Sequence, residues 1–290
     1  MTYIRRSLAV VMTAVTFIAC LAVPSFAAAE DGWADEYGYR FYYINGTRKR
    51  GWLLYEGEWY YLDPSDGHMY SDIGLKIGKK WYYFDEDGMM LKKQWVIAIQ
   101  DTTVNGEVTL WAYVGKDGVA YEGWHKMGGK WYYFWNSFAL AGCTWKIGKK
   151  NYVFDADGTM AVKKWVKYLY DSEYELWFYA NGSGIATTGW KKLGGKWYFF
   201  DADGVMERGL CLINHCFFYF DEDGVMVTDT WYNAGSEDEK YMMYFGPGGN
   251  NLVGWKQIDG KWYFFDRDGI MLHDTVVDGY KLGPDGVWIK

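Results

Sequence analysis

The sequence predicts an all-β chain built as a solenoid of stacked β-hairpins, and three observations lead there. One motif recurs along the chain, spelled most completely from Gly189 to Met206 as GWKKLGGKWYFFDADGVM. Its runs of Trp, Tyr, Phe and Val favour strands, and the Gly-Gly or Asp-Gly pairs between them are the chemistry of tight hairpins. No stretch beyond residue 30 carries a sustained helical period of apolar residues with caps. A lone hairpin is marginal in water, so neighbours must bury what each leaves open, which is the logic of a stacked repeat.

The chain opens on a segment unlike the rest. Arg5 and Arg6 precede an uncharged, Leu-, Ala- and Val-rich run that passes Pro24 and ends at Ala27-Ala28-Ala29. That order is the order of a secretory signal peptide. The run is long enough to span a bilayer, but Pro24 and the small residues favour cleavage after Ala29 over an uncleaved anchor. Phe17 stands where a lipoprotein signal ahead of Cys20 would carry Leu. Residues 1–29 are therefore expected to be removed and 30–290 to form the repeat solenoid, with no membrane insertion after cleavage. The mature chain would hold 28 basic against 37 acidic residues, a balance of −9. An acidic secreted chain does not suit nucleic acid or anionic membrane, which need clustered Lys and Arg. Here the lysine pairs, such as Lys79-Lys80 and Lys191-Lys192, are spread over the repeats.

The repeats can be numbered by the position of Trp197: Trp59, Trp81, Trp111, Trp131, Asn151, Trp177, Trp197, Phe217, Met242 and Trp262. The long spacings end at Trp111, Trp177 and Met242, every third unit, and each long unit opens on Trp95, Trp165 or Trp231. The chain thus reads as triplets of a long unit, a full Gly-Trp unit and a degenerate unit. A partial unit precedes them at Phe41–Ile44 and another follows at Tyr280–Gly286. With 18 Trp and 21% aromatic residues, many rings must be half-exposed, because large rings are hard to bury completely.

Hairpin register assigns faces. With the turn at Gly194-Gly195, Lys192 faces Trp197 and Trp190 faces Phe199. Side chains alternate along a strand, so Trp190, Trp197 and Phe199 share one face, and Tyr198 and Phe200 share the other with Leu193. The second face is the better core. Cys211 and Cys216 fall diagonally across their hairpin, where neighbours are about 7–8 Å apart, at or past the reach of a disulfide. Cys143 stands alone.

These residues resemble the choline-binding, or cell-wall-binding, repeat family, whose pattern is Gly-Trp, a short turn, Trp-Tyr-Tyr-Phe/Leu, Gly and Met. The likeness covers residues 37–290. Similar repeats occur in cell-wall hydrolases, in glucan-binding regions of glucansucrases and in the tails of large glucosylating toxins, which the long units resemble most. The resemblance implies a left-handed superhelix of hairpins with ligand sites between consecutive ones, where two Trp of one unit and a Tyr of the next box a choline. Carried over, the Trp pairs are Trp52/Trp59, Trp124/Trp131, Trp190/Trp197 and Trp255/Trp262. The third wall, taken from the same face of the next unit, is Tyr83 for the first pair and Tyr219 for the third. It is Val153 for the second and Lys281 for the fourth, where Tyr280 could substitute after a register shift. Trp95, Trp111 and Tyr133 suggest a further site in a long unit. At any one position the Trp would serve equally to seal the repeat junction.

Other chemistries find no support. The Asp-x-Asp-Gly strings at Asp85, Asp155, Asp201 and Asp266 lack the further oxygen ligands and the Glu of a calcium loop, and read as turns. His68, His125, His215 and His273 are scattered without metal-ligand spacing, so neither a metal nor a cofactor is expected. No nucleophile elbow or phosphate loop appears, and paired carboxylates in every turn carry no glycosidase signal. The expectation is a secreted, cell-surface binding module, not an enzyme. It would dock on a cell-envelope polymer through choline or, alternatively, through carbohydrate, or else serve as a structural spacer. Oligomeric state is open.

Overall fold

The structure, a computed structural model, describes residues 30–101, 108–169, 175–236 and 240–289. The expected signal peptide and Cys20 lie outside the described residues. Every regular element among those residues is a β-strand, and nearly all the strands pair as antiparallel hairpins. Two compact units result. The first comprises the described residues up to Ala141 with Ala156–Thr159, the second Gly142–Asp155 and the described residues from Met160.

In the first unit the hairpins are Gly32–Glu36 with Tyr39–Ile44, Gly51–Tyr55 with Glu58–Leu62, and Ile73–Ile77 with Lys80–Phe84. Gln94–Asp101 with Val108–Val114 and Gly123–Met127 with Lys130–Trp135 follow. The second unit repeats the plan from Cys143–Ile147 with Lys150–Phe154 to Gly254–Ile258 with Lys261–Phe265, and ends on three short strands. The registers are those the turns dictate: Trp190 faces Phe199 and Lys192 faces Trp197. Gly194 and Gly195 have φ of 56° and 84°, the double left-handed turn whose twist matches that of the flanking strands.

Consecutive hairpins are tied by the residue that closes each motif, Met in several units and Ala120, Ala186 or Asn251 in others. Met206 donates its backbone N–H to the carbonyl of Trp177 in the preceding hairpin at 2.8 Å, while Glu207 beside it bonds its own hairpin at Phe199, 2.9 Å. Met90 reaches back to Trp59, Met226 to Trp197 and Met271 to Met242 in the same way. The Met side chain points the other way along the stack. A Cβ placed on Gly224 would lie 2.4 Å from the Met206 sulfur, and Gly88, Gly118, Gly249 and Gly286 meet Met69, Met90, Met226 and Met271 as closely. Gly224 also has a φ of 75°, so two independent demands select glycine there.

The Asp-x-Asp-Gly turns build these seats. Asp201 Oδ1 accepts the N–H of Asp203 at 2.9 Å and of Val205 at 2.7 Å, and Asp266 does the same for Asp268 and Ile270. The carboxylates are spent on the backbone, as the turn reading requires. Inside the turns runs the core: Phe84, Phe134, Phe154, Phe200, Phe220, Phe245 and Phe265 are all essentially inaccessible. Each such burial contributes about 1.5–3 kcal/mol. Tyr198 and Leu193, assigned to the same face, are only half-buried.

Cys143, Cys211 and Cys216 are free thiols. Burial, reinforced by the Glu207 carboxylate within 3.5 Å, pushes the Cys211 thiol up to about 12. Because the thiolate is the reactive form, Cys211 in a single-cysteine variant should be alkylated at pH 8 at least about tenfold more slowly than a model thiol. Iodoacetamide labelling followed by mass spectrometry reads this rate. A second expectation concerns the seam. Met206→Ala should cost about 2–4 kcal/mol and Gly224→Ala about 1–3 kcal/mol. The double variant should lose less than the sum, because removing the Met relieves the clash. Urea denaturation midpoints of the three variants measure the coupling.

Candidate functional site

The recurring surface feature is an aromatic corner between two hairpins. Trp190, on the first strand of its hairpin, is half-buried. It meets Trp197 of the same hairpin at 6.4 Å between ring centroids and 86° between planes. From the next hairpin come Phe218 at 4.7 Å and Phe220 at 5.8 Å. Trp52 repeats the arrangement with Trp59 at 5.9 Å and 90°, and with Tyr82 at 4.9 Å. The outer rings Trp59, Trp131, Trp197 and Trp262 keep 37%, 41%, 41% and 38% of their surface exposed. The inner Trp therefore seals the seam and walls the corner at once, whereas the outer Trp leaves about two-fifths of its surface open.

The third wall differs from the sequence expectation. Tyr83 is only 4% exposed, in the cluster of Val96, Ala112 and Val114, and Tyr219 packs against Tyr232 at 4.2 Å with the rings tilted by 34°. Val153 likewise lies in a core cluster with Val166 and Phe178. Tyr133 packs on Trp124 of its own hairpin at 5.1 Å, and Trp95 instead meets Tyr132 at 5.4 Å. The reason is that hairpins stack front to back. The Trp face of one meets the opposite face of the next, so the wall comes from one residue earlier on the strand. Tyr280 obeys the same rule, lying 5.5 Å from Trp255 without any register shift, while Lys281 points across to Val276.

The rule also finds residues that pattern reading passed over. Trp165, Trp177 and Tyr198 form a corner, with Trp165 at 6.4 Å from Trp177 and 5.0 Å from Tyr198. The signal was available, since the long units open on Trp. Trp95 has Trp111 in the outer position and Trp231 has Met242 there. Trp124 and Trp131 keep the pair geometry at 6.1 Å and 89°. Degenerate hairpins break the series by placing Gly74, Thr144 and Leu210 where the inner Trp belongs.

Two placements bear on charge. At the first hairpin Arg40 holds the outer position, and its guanidinium lies 5.2 Å from the centroid of Trp33, which also meets Tyr60 at 5.1 Å. There a cation of the chain itself occupies the ring face. Lys126, Lys167 and Lys192 place their ammonium groups 5.9, 5.7 and 5.8 Å from Trp131, Trp177 and Trp197. The equivalent residues beside Trp59 and Trp262 are Leu54 and Gln257.

Among the described residues, one group could bring three ligand atoms to a metal: Asp63, Asp66 and His68, within 4.8 Å of one another. Its oxygens already serve the turn. Asp63 accepts from Ser65 and Tyr70, which hold its carboxyl well below the usual range, and Asp66 pairs with the His68 ring at 2.7 Å.

Known proteins share these features. A choline-binding repeat model matches residues 187–231, and a putative cell wall binding repeat model matches 51–69, 75–90 and 253–271. Choline-binding protein F of Streptococcus pneumoniae is 25% identical, with 89% of this chain and 98% of that chain aligned at a TM-score of 0.53. CbpJ of the same species, 23% identical, covers 89% and 99% at a TM-score of 0.54 and shares the fold. Glucosyltransferase-S of Streptococcus mutans is 30% identical over 49% of this chain, which spans about a tenth of that protein's length. Both units thus carry stretches that match choline-binding or cell-wall-binding repeat models, on a hairpin architecture similar to that of choline-binding protein F.

Proposed function

We propose that the chain is exported by a leader within residues 1–29 and binds choline groups of a cell-envelope polymer at its aromatic corners, without catalysis of its own. The observation that carries this reading is the repeated pairing of a half-buried Trp with a perpendicular, two-fifths exposed Trp and a ring from the next hairpin. A trimethylammonium group donates no hydrogen bond and is held by ring faces, each giving about 0.5–2 kcal/mol. Three rings then support affinity near millimolar, about −4 kcal/mol, and several corners on one polymer multiply it through avidity. Arg40 over Trp33 is the same contact made with a group of the chain. The likeness to choline-binding protein F supports the same ligand.

Tryptophan fluorescence of the full chain should respond to choline. Trp59→Ala and Tyr82→Ala should each remove the response of the first corner, about tenfold or more in affinity, while Tyr83→Phe should leave it intact. A response that Tyr83 controls and Tyr82 does not would refute the assignment. The corners should also differ among themselves. Lysine ammoniums at the rim repel a second cation, so corners beside Leu54 and Gln257 should fill before those beside Lys126, Lys167 and Lys192. Lys192→Gln should tighten choline at its corner by about two- to threefold at low salt, fading as salt rises, as isothermal titration calorimetry would show.

A further inference from the structure

Sugars stack on rings but also need polar groups for their hydroxyls, and such groups converge at one place in the second unit. At the hairpin Gly209–Ile213 with Cys216–Phe220 the aromatic corner is dismantled. Leu210 and Phe217 stand where Trp190 and Trp197 stand one hairpin earlier, and Leu212 replaces Lys192. A cavity of about 480 Å³ opens there, with Leu212, Phe217, Asn250, Lys256, Arg267 and Asp268 among its lining residues.

The seam beneath it is polar. Asn251 holds the position that Met206, Met226 and Met271 hold elsewhere, and it is 6% exposed. Its Oδ1 accepts the backbone N–H of Phe217 at 2.9 Å, and its Nδ2 donates to the Asp268 carbonyl at 3.5 Å. One buried amide therefore fixes the Phe217 strand against the turn that carries Arg267 and Asp268. A Cβ on Gly269 would lie 2.1 Å from the same amide nitrogen, so the turn has no freedom to drift.

The charge of the cavity is opposite to what a choline site wants. Arg267 pairs with Asp268 at 3.8 Å on the exposed rim, so Lys256 leaves the lining one positive charge in excess, in a chain whose net charge is −7. A quaternary ammonium would meet an excess of positive charge and no Trp pair. A sugar bearing an acidic substituent would meet a ring to stack on, an amide and a carboxylate for its hydroxyls, and a guanidinium and an ammonium for its phosphate or carboxylate. We infer that this cavity binds an anionic saccharide unit of the polymer whose choline groups the corners hold. The polymer's identity rests on the proposed function, but the cavity's ligand chemistry does not.

The test uses the full chain with choline at saturating concentration, so that the corners are occupied. N-acetylglucosamine 1-phosphate and glucuronic acid are titrated by calorimetry, with N-acetylglucosamine and inorganic phosphate as controls. At least one anionic sugar should bind about tenfold or more tightly than either control, the margin of one charge-assisted hydrogen bond. Which of the two binds distinguishes a phosphate-bearing from a carboxylate-bearing source. Lys256→Gln with Arg267→Gln should weaken that binding about tenfold or more, with the choline titration unchanged. The inference is overturned if neither anionic sugar exceeds the controls, or if the double variant binds like the parent. Loss of choline binding in the parent would instead sink the corner assignment and leave the sugar result to be judged separately.

Discussion

The structure depends on the Met-to-Gly seam. A two-stranded hairpin has one face too many for its size, and nothing in its own ladder tells it where the next hairpin should sit. The closing Met supplies both pieces of information. Its backbone N–H reaches back to a carbonyl of the preceding hairpin, and its side chain fills a seat that exists only because the next turn carries Gly at positive φ. The Asx hydrogen bonds of Asp201 and its equivalents hold that seat open. The backward backbone bond recurs where Ala120, Ala186 or Asn251 replaces the Met, and the buried Phe residues lie along the hairpins it ties together.

Front-to-back stacking then turns a packing residue into one wall of an aromatic corner. Trp190 packs on the next hairpin and stands perpendicular to Trp197, which keeps two-fifths of its surface exposed. A corner therefore appears wherever both positions of a hairpin carry Trp. Where a degenerate hairpin offers Gly74, Thr144 or Leu210, the seam still closes, but with core residues such as Ala112 or Phe178. The triplet in the sequence is thus a triplet of seams: the degenerate hairpin lacks the Trp pair, and the long and full hairpins carry it except where Met242 stands beside Trp231.

Much of this was legible in advance. Strand positions, the turn at Gly194-Gly195, the pairing of Trp190 with Phe199 and the turn role of Asp201 are properties of a single hairpin, and a single hairpin is written in consecutive residues. Tyr82 and Phe218, rather than Tyr83 and Tyr219, lie against the inner Trp of the preceding hairpin for a specific reason. Alternation along a strand says which residues share a face, but not which face the neighbour sees; that is decided between hairpins. Asn251 was invisible for a related reason. It reads as a damaged Met, and only its bonds to Phe217 and Asp268 show that the seam there has exchanged apolar filling for hydrogen bonding.

Because each corner takes rings from two hairpins, it exists only while those hairpins are stacked. A ligand that binds the corner and not the separated hairpins must stabilise the stack by RT ln(1 + [L]/Kd). Choline would then act as a rivet as well as a target. A protein free in solution would hold its seams by packing and backbone bonds alone, and the same protein on a choline-rich surface would have adjoining repeats pinned together at corner after corner. Attachment to the envelope would itself stiffen the molecule and slow its local unravelling.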